Sequence, residues 1–373
     1  MKDRMKKTMS AEPRISSVLH LRAGMRGVPL AGNFELTARC NFNCRMCYVH
    51  QNQDPEKELT AQQWIELGRH ARDRGMLFLL ITGGEPMLRP DFPLIYKSLR
   101  EMGLMVSINT NASLLTDEIL ELFRNFPPTR LNISLYGGNH ETYRNLCGTA
   151  AYDIVTRNIL RLKELGLSVK INCSVTPYNA GDIEQIYGFA KENGLQIQGT
   201  TYMYPPVRIN GCKYGEAPAR FTWEEAAAYM LKCREQLLTP EQLANSTDGR
   251  FELEEDCAND TGEPMWCRAG RTAFWVTWDG RMLPCGMFPQ EGYSVREMGF
   301  DRAWEQVRAY VRQIRMPREC ADCPKKGRCN SCAAACIAES GSTEIKPDYI
   351  CKMTQRLENL TWEKYGERAN EDQ

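Results

Sequence analysis

No stretch of the 373-residue chain approaches the run of about 18 apolar residues that a membrane-crossing helix requires. The N-terminus, MKDRMKKTMSAEPRISSVLH, is basic but has no apolar core, which excludes a secretory signal. Neither sign of charge is in excess, since 47 Lys and Arg balance 47 Asp and Glu. Nucleic acid and membrane surfaces therefore have no electrostatic claim as partners. Internal repeats are lacking beyond an alternation of strand-like and helix-like segments. With 42% hydrophobic and 25% charged residues, the composition is that of a soluble globular protein. The length suits one large domain and a smaller one. These absences together lead us to expect a cytoplasmic protein.

Cysteine is what the chain has in plenty. It has 16, nine of them from Cys257 to Cys351. The cytosol keeps thiols reduced, so a disulfide framework is disfavoured and clustered cysteines point to metal.

From about residue 32 to 201, apolar strand-like runs alternate with amphipathic helix-like runs. GNFELTA, MLFLLIT, LMVSINT, RLNISLY, LSVKINCSVT and LQIQGTTYM read as six strands. MLFLLIT is continuous enough to be buried on both faces. TAQQWIELGRHARDRG has helical spacing, with Thr60 as its N-cap, and TWEEAAAYMLKCREQLL reads as the sixth helix. Strict alternation implies parallel strands with right-handed crossovers. Six such units fit either an incomplete barrel or an open doubly wound sheet. In both, function collects at the carboxyl ends of the strands, where the first cysteine loop, TGGEP and NTNA all fall. We divide the chain into a basic N-terminal extension (1–30, read as a disordered or loosely docked tail), the alternating region (31–238), a polar connector (239–265) and a cysteine-rich region (266–373).

The stretch TARCNFNCRMCYVH spaces Cys40, Cys44 and Cys47 as C-x3-C-x2-C. Soft thiolates at this spacing select zinc or an iron–sulfur cluster. Zinc needs a fourth ligand, which His50 is placed to supply. A 4Fe–4S cluster held by three cysteines leaves one iron open to a small molecule. The spacing resembles the hallmark of the radical S-adenosylmethionine (SAM) enzymes. The usual aromatic residue before the last cysteine is Met46 here, and Tyr48 follows that cysteine instead. The resemblance implies that the open iron chelates the amino and carboxylate groups of SAM. TGGEP, with Gly83, Gly84, Glu85 and Pro86, follows the second strand and resembles the family loop that binds the SAM ammonium. Glycines let backbone approach a ligand closely, and Glu85 can accept from the ammonium. The resemblance also implies SAM contacts from Asn109 and Asn111, from Ser134, from Arg144 facing the SAM carboxylate, and from Asn172. Each has a plain alternative as a capping or sheet-edge residue. With the resemblance, the expected fold class is α/β, a partial (β/α)6 TIM-like barrel followed by a cysteine-rich domain. Cys147, Cys173, Cys212 and Cys233 match no motif and read as small hydrophobes.

The C-terminal cysteines run Cys267-x12-Gly280-x4-Cys285, then Cys320, Cys323, Cys329, Cys332, Cys336 and Cys351. This resembles the SPASM extension of radical SAM proteins, which carries two auxiliary 4Fe–4S clusters. A zinc ribbon is the competing reading. The SPASM pattern asks for a cysteine where Ala333 stands, and Cys332 and Cys336 flank that position. By analogy, Cys257, Cys267, Cys285 and either Cys332 or Cys336 hold the inner cluster. Cys320, Cys323, Cys329 and Cys351 hold the outer one. Without Cys257, the inner cluster has an open iron. Trp266, Phe274, Trp275 and Trp278 lie around the first two cysteines and read as packing that keeps a cluster dry.

The resemblance implies reductive cleavage of SAM to a 5′-deoxyadenosyl radical, which takes hydrogen from an unactivated C–H bond. Auxiliary clusters would then take up an electron. Enzymes with this extension mostly modify ribosomally made peptides or proteins, forming thioethers, C–C crosslinks or similar. That is the expected activity, performed anaerobically with a low-potential donor of flavodoxin or ferredoxin type. Family members that mature sulfatases place an aspartate after the second cysteine of the extension, where this chain has Gly286. A dedicated leader-peptide-binding domain does not fit in the residues before the barrel, although the basic segment up to Arg26 can touch an acidic leader. Action on a small molecule or cofactor precursor is the enzymatic alternative, and an iron–sulfur scaffold or electron carrier the non-enzymatic one. No general base can be named, although Tyr202, Tyr204 and Glu85 fall in the right neighbourhood.

Overall fold

The computed structural model describes residues 15–49, 54–209, 211–248, 265, 267–289, 291–321, 323, 325, 328, 329 and 331–366. His50, Cys257 and Trp266 lie outside the described residues. In chain order, the first part contains α1 (Ile15–Arg26), β1 (Ala31–Glu35), α2 (Ala61–Asp73), β2 (Phe78–Thr82), α3 (Phe92–Glu101), β3 (Met105–Thr110) and α4 (Asp117–Asn125). Next come β4 (Arg130–Ser134), α5 (His140–Cys147), α6 (Tyr152–Glu164), β5 (Val169–Ser174), α7 (Ile183–Glu192), β6 (Gln196–Thr200), α8 (Trp223–Glu235) and α9 (Pro240–Asp248). The last part contains β7 (Ala273–Val276), β8 (Arg281–Leu283), β9 (Tyr293–Ser294), α10 (Val295–Gln313), α11 (Arg318–Ala321), α12 (Ala333–Ser340) and α13 (Asp348–Tyr365).

Local chemistry accounts for the helix starts. Thr60 and Gln63 form a capping box on α2, as do Thr222 and Glu225 on α8. Thr116 and Asn139 cap α4 and α5. The strands run β6-β5-β4-β3-β2-β1-β7-β8-β9, and β1 to β6 are all parallel neighbours. Strand order follows chain order with no switch point, so the first six units form a partial barrel and not a doubly wound sheet. Apolar side chains on the outer sheet face, among them Ile81, Ile108, Ile133 and Ile171, are fully buried in one core with Phe34, Trp64 and Phe123. On β3 to β5, buried residues alternate with half-buried Asn109, Asn132, Ser134 and Asn172. The period of two thus puts the polar residues of these strands on the inner face.

Three divisions read from the sequence need correction. The expected loose tail contains α1, whose His20 is buried, hydrogen-bonds Thr272 Oγ1 at 2.8 Å and stacks on Phe78. The expected connector begins with α9, which buries Leu243 and Ala244 and packs on α13. The cysteine-rich region is also not set apart from the barrel, because β7 pairs in parallel with β1 and extends the same sheet. Composition hid this continuity because sheet pairing reflects long-range contact, not local sequence.

Candidate active site

A cavity of about 460 Å3 opens at the carboxyl ends of β1 to β6. Cys40, Cys44 and Cys47 line it, as do Gly83 and Gly84. So do Asn109, Ser134 and Asn172. None of its described lining residues is Lys, Arg, Asp or Glu.

The cysteine loop is held by backbone bonds to the end of α5, where the Asn43 N–H donates to Cys147 O and the Arg45 N–H to Leu146 O, each at 2.9 Å. Behind it lies a buried charge network that the sequence reading missed. Glu58 accepts from the Thr37 hydroxyl, from Arg39 Nε at 3.1 Å and Nη2 at 3.0 Å, and from Arg89 Nη1 at 3.4 Å. Arg89 also donates to Leu36 O and to Asp91. No single motif signals this network, because its members sit on three separate segments. The Phe42 N–H and the Asn111 side-chain amide both reach Cys40 Sγ, at 3.4 and 3.8 Å. Burial pushes the Cys40 thiol up to about 12. A hydrogen bond with Cys147, and then burial, pushes the Cys44 thiol up as well. Cys147, read from the sequence as inert packing, therefore touches the site.

Gly83 and Gly84 do more than approach a ligand. A Cβ on Gly84 would lie 2.2 Å from Arg39 O, and one on Gly83 2.6 Å from Thr37 O, with Gly83 at φ +155. The paired glycines thus allow the second loop to lie against the backbone that leads into the cysteines. That contact carries the bonds Gly84 N–H to Thr37 O (2.7 Å) and Glu85 N–H to Arg39 O (2.9 Å).

Glu85 was expected to face the ligand, and the structure turns it inward. It is fully buried, and its carboxylate accepts from the Thr110 hydroxyl (2.9 Å) and from the Asn111 (2.8 Å) and Met87 (3.1 Å) N–H groups. Burial raises its pKa to about 7, against the pull of these donors. Pro86 is likewise buried, in the first turn after Glu85, and neither residue lines the cavity. Arg144 is exposed on α5 and also off the wall, because Tyr143, Leu146 and Cys147 take the buried face of that helix. Asn132 and Gln198 were missed. Asn132 donates to Asn109 Oδ1 at 2.9 Å from the adjacent strand, and Gln198 pairs with Asn172. Their signal was the polar position within each apolar strand.

Beyond β6, Tyr202, Met203 and Tyr204 line the cavity, as does Met287 of the cysteine-rich region. Cys267, Cys285 and Cys332 face one another and Tyr204. Burial pushes the Cys285 thiol up to about 11. Cys320 faces Cys323 and Cys329, while Cys351 faces Cys320 and Cys329. Cys336 is fully buried on α12, beside Ser331, and faces Cys320, Cys332 and Cys351. Of the other cysteines, Cys173 lines the cavity, Cys233 is buried against Tyr187, and Cys212 is half-buried.

Among the described residues, no three His, Cys, Asp or Glu side chains gather where one bare metal ion could sit. The fit of an iron–sulfur group rests instead on donor chemistry, with three soft thiols on one wall and N–H groups aimed at Cys40 Sγ. Fold and site define a barrel enzyme with a thiol-lined centre. Residues 34–190 match the Radical SAM superfamily. The AdoMet-dependent heme synthase of Methanosarcina barkeri is 28% identical over 85% of this chain and 95% of its own length. The mycofactocin maturase MftC of Mycobacterium ulcerans is 24% identical over 92% of this chain and 93% of its own. Among solved structures, Streptococcus suis SuiB bound to precursor peptide SuiA shares the fold at a TM-score of 0.68 and 18% identity, covering 94% of this chain and 85% of SuiB. Native anSMEcpe with bound AdoMet does so at 0.69 and 16%, covering 92% and 100%. Residues 34–190 thus carry a radical SAM domain, and the cysteine-rich C-terminus fits a SPASM extension. That match supports SAM and an iron–sulfur cluster as the cofactors of this domain. No helix among the described residues is long and apolar enough to cross a membrane.

Proposed function

We propose that this enzyme oxidatively modifies a ribosomally made peptide or protein in the cytosol, forming a thioether, a C–C crosslink or a similar bond. The observation that carries this reading is the cavity wall, which is polar and aromatic and carries no charged side chain among its described residues. Such a wall suits an uncharged side chain of a peptide. A substrate bearing several carboxylates would need cationic partners when buried. The peptide-bound fold neighbour SuiB and the maturase relative support the same reading.

In this reading Cys40, Cys44 and Cys47 hold the cluster that binds SAM. When bound, SAM and the reduced cluster supply a radical that abstracts hydrogen from carbon. Gly83 and Gly84 offer backbone to SAM, while Asn109, Ser134 and Asn172 reach it from the inner face of the sheet. Glu85 acts from behind by holding the loop to the end of β3. Two auxiliary 4Fe–4S clusters occupy the C-terminal region. Cys267, Cys285 and Cys332, with Cys257, hold the inner one. Cys320, Cys323, Cys329 and Cys351 hold the outer one, and Cys336 packs beside it. Electrons enter from a donor of flavodoxin or ferredoxin type.

A second reading, action on a small molecule or cofactor precursor, is favoured by the likeness to the heme synthase of M. barkeri. Anaerobic co-expression with a short peptide encoded beside the gene separates the two. Mass spectrometry is expected to show the peptide lighter by a pair of hydrogens. An unmodified peptide from cells whose enzyme forms 5′-deoxyadenosine would turn the assignment to the small molecule.

A further inference from the structure

One side chain joins the cavity to the cysteines of the C-terminal region. Tyr204 lines the cavity, and its hydroxyl lies 3.8 Å from Cys332 Sγ. It also faces Cys285 and Cys267. The segment carrying it is fastened on both sides. The Tyr202 ring stands edge-on to the Tyr204 ring, with centroids 4.7 Å apart. The Tyr202 hydroxyl donates to Glu339 Oε1 on α12 at 2.5 Å, and Arg220 pairs with the same carboxylate at 2.7 Å. The Arg220 guanidinium lies 3.4 Å above the Tyr349 ring. Further along the segment, Arg208 grips fully buried Glu35 through two bonds of 2.9 Å and donates to Gly286 O, next to Cys285. Trp275 Nε1 completes the grip on Glu35 at 2.9 Å. With its segment fastened on both sides, Tyr204 keeps its hydroxyl within 3.8 Å of the Cys332 sulfur. A phenol is protonated at neutral pH, so against a thiolate it is the donor.

We propose that Tyr204 is a positioning residue for the inner auxiliary cluster. Its hydroxyl donates to the Cys332 sulfur and sets that cluster's reduction potential, while its ring forms the partition between substrate and cluster. The inference rests on the proposed assignment of Cys267, Cys285 and Cys332 to one cluster. Donation to a ligand sulfur stabilises the reduced, more negative cluster and so raises its potential.

The test is anaerobic redox titration of the reconstituted full-length enzyme, followed by electron paramagnetic resonance. The inner signal is assigned as the one lost in Cys332→Ala. In Tyr204→Phe, which keeps the ring, that signal is expected to remain. Its reduction equilibrium should fall about tenfold, a negative shift of about 59 mV for a one-electron couple. Replacing Tyr204 with 3-fluorotyrosine, a stronger donor, should move the potential the other way. Tyr202→Phe, whose hydroxyl serves Glu339, should leave it where it is. An inner signal that is present, but whose potential is the same in Tyr204→Phe and the parent, overturns the inference alone. If Cys332→Ala loses neither iron nor signal, the cluster assignment falls, and the inference with it.

Discussion

The cysteines near the start of the chain and those near its end are held in opposite ways. Cys40, Cys44 and Cys47 sit in a loop that the rest of the fold already shapes. Backbone bonds from α5 and from Gly84 and Glu85 hold it, and the Glu58 network supports it from behind. Cys320, Cys323 and Cys329 lie around α11, a helix of four residues, and are half-buried. The apolar cluster near them is small, with Val311, Phe288 and Ile337 among its members. A site built on a packed sheet is organised before its metal arrives. A site built on short segments draws much of its order from the metal. The barrel thus offers its cysteine loop a rigid seat, and the C-terminal region carries its cysteines on shorter, less packed segments.

The largest effect that sharpens this contrast is expected from Cys47→Ala. It should abolish 5′-deoxyadenosine formation while the barrel unfolds as in the parent, read by anaerobic activity assay and circular dichroism. Collapse of the barrel in this variant would break the comparison. Removing iron with a chelator should next open the C-terminal region selectively. Limited proteolysis with mass spectrometry should find new cuts between residues 315 and 332 and none between 78 and 174. Earlier cuts in the barrel would reverse the assignment of rigid and metal-dependent parts.

Arg208→Ala leaves Glu35 buried without its cationic partner, with only the Trp275 N–H still bonded to it, which should cost about 3–5 kcal/mol in chemical denaturation. It should also loosen the junction between the two regions, since Arg208 ties β1 to Gly286. A loss of less than about 1 kcal/mol, the value of a solvated surface pair, would show that the two regions do not depend on this link.

The smallest effect concerns Glu85. Its carboxyl rises from 4.5 to about 7 on folding, so the folded chain binds the proton more tightly. Its contribution to stability is complete below about pH 4.5, is lost as pH rises through about 7, and is flat above. The linkage amounts to about 3 kcal/mol across that window. Glu85→Gln should flatten this part of the pH profile of thermal unfolding in the metal-free protein. An unchanged slope would remove the inward-facing carboxyl as its source.

Much of the barrel was legible in the sequence because its signals are local. Each of the six strand segments overlaps a strand of the structure, and Thr60 caps α2. Helix α5 was passed over, although Asn139 stands three residues ahead of Thr142 in a capping position. The cysteine loop was located by its spacing and the glycine pair by its resemblance to a family loop, yet their neighbours were not. Gly83 and Gly84 looked like ligand-facing residues, and they also accommodate Thr37 and Arg39. Glu85 and Arg144 bear the right chemical groups, but the first turns into the protein and the second out to solvent.

The sequence by itself determined the order of elements, the apolar face of each helix and strand, and the places where thiols collect. Those features depend on period, caps and spacing along a few turns of chain. Only the tertiary structure decided that β7 joins β1, that Arg208 meets Glu35 across 173 residues, and that Cys332 turns toward Tyr204 while Cys336 lies buried in α12. Side-chain direction depends on register and on partners distant in sequence, and no local pattern encodes either.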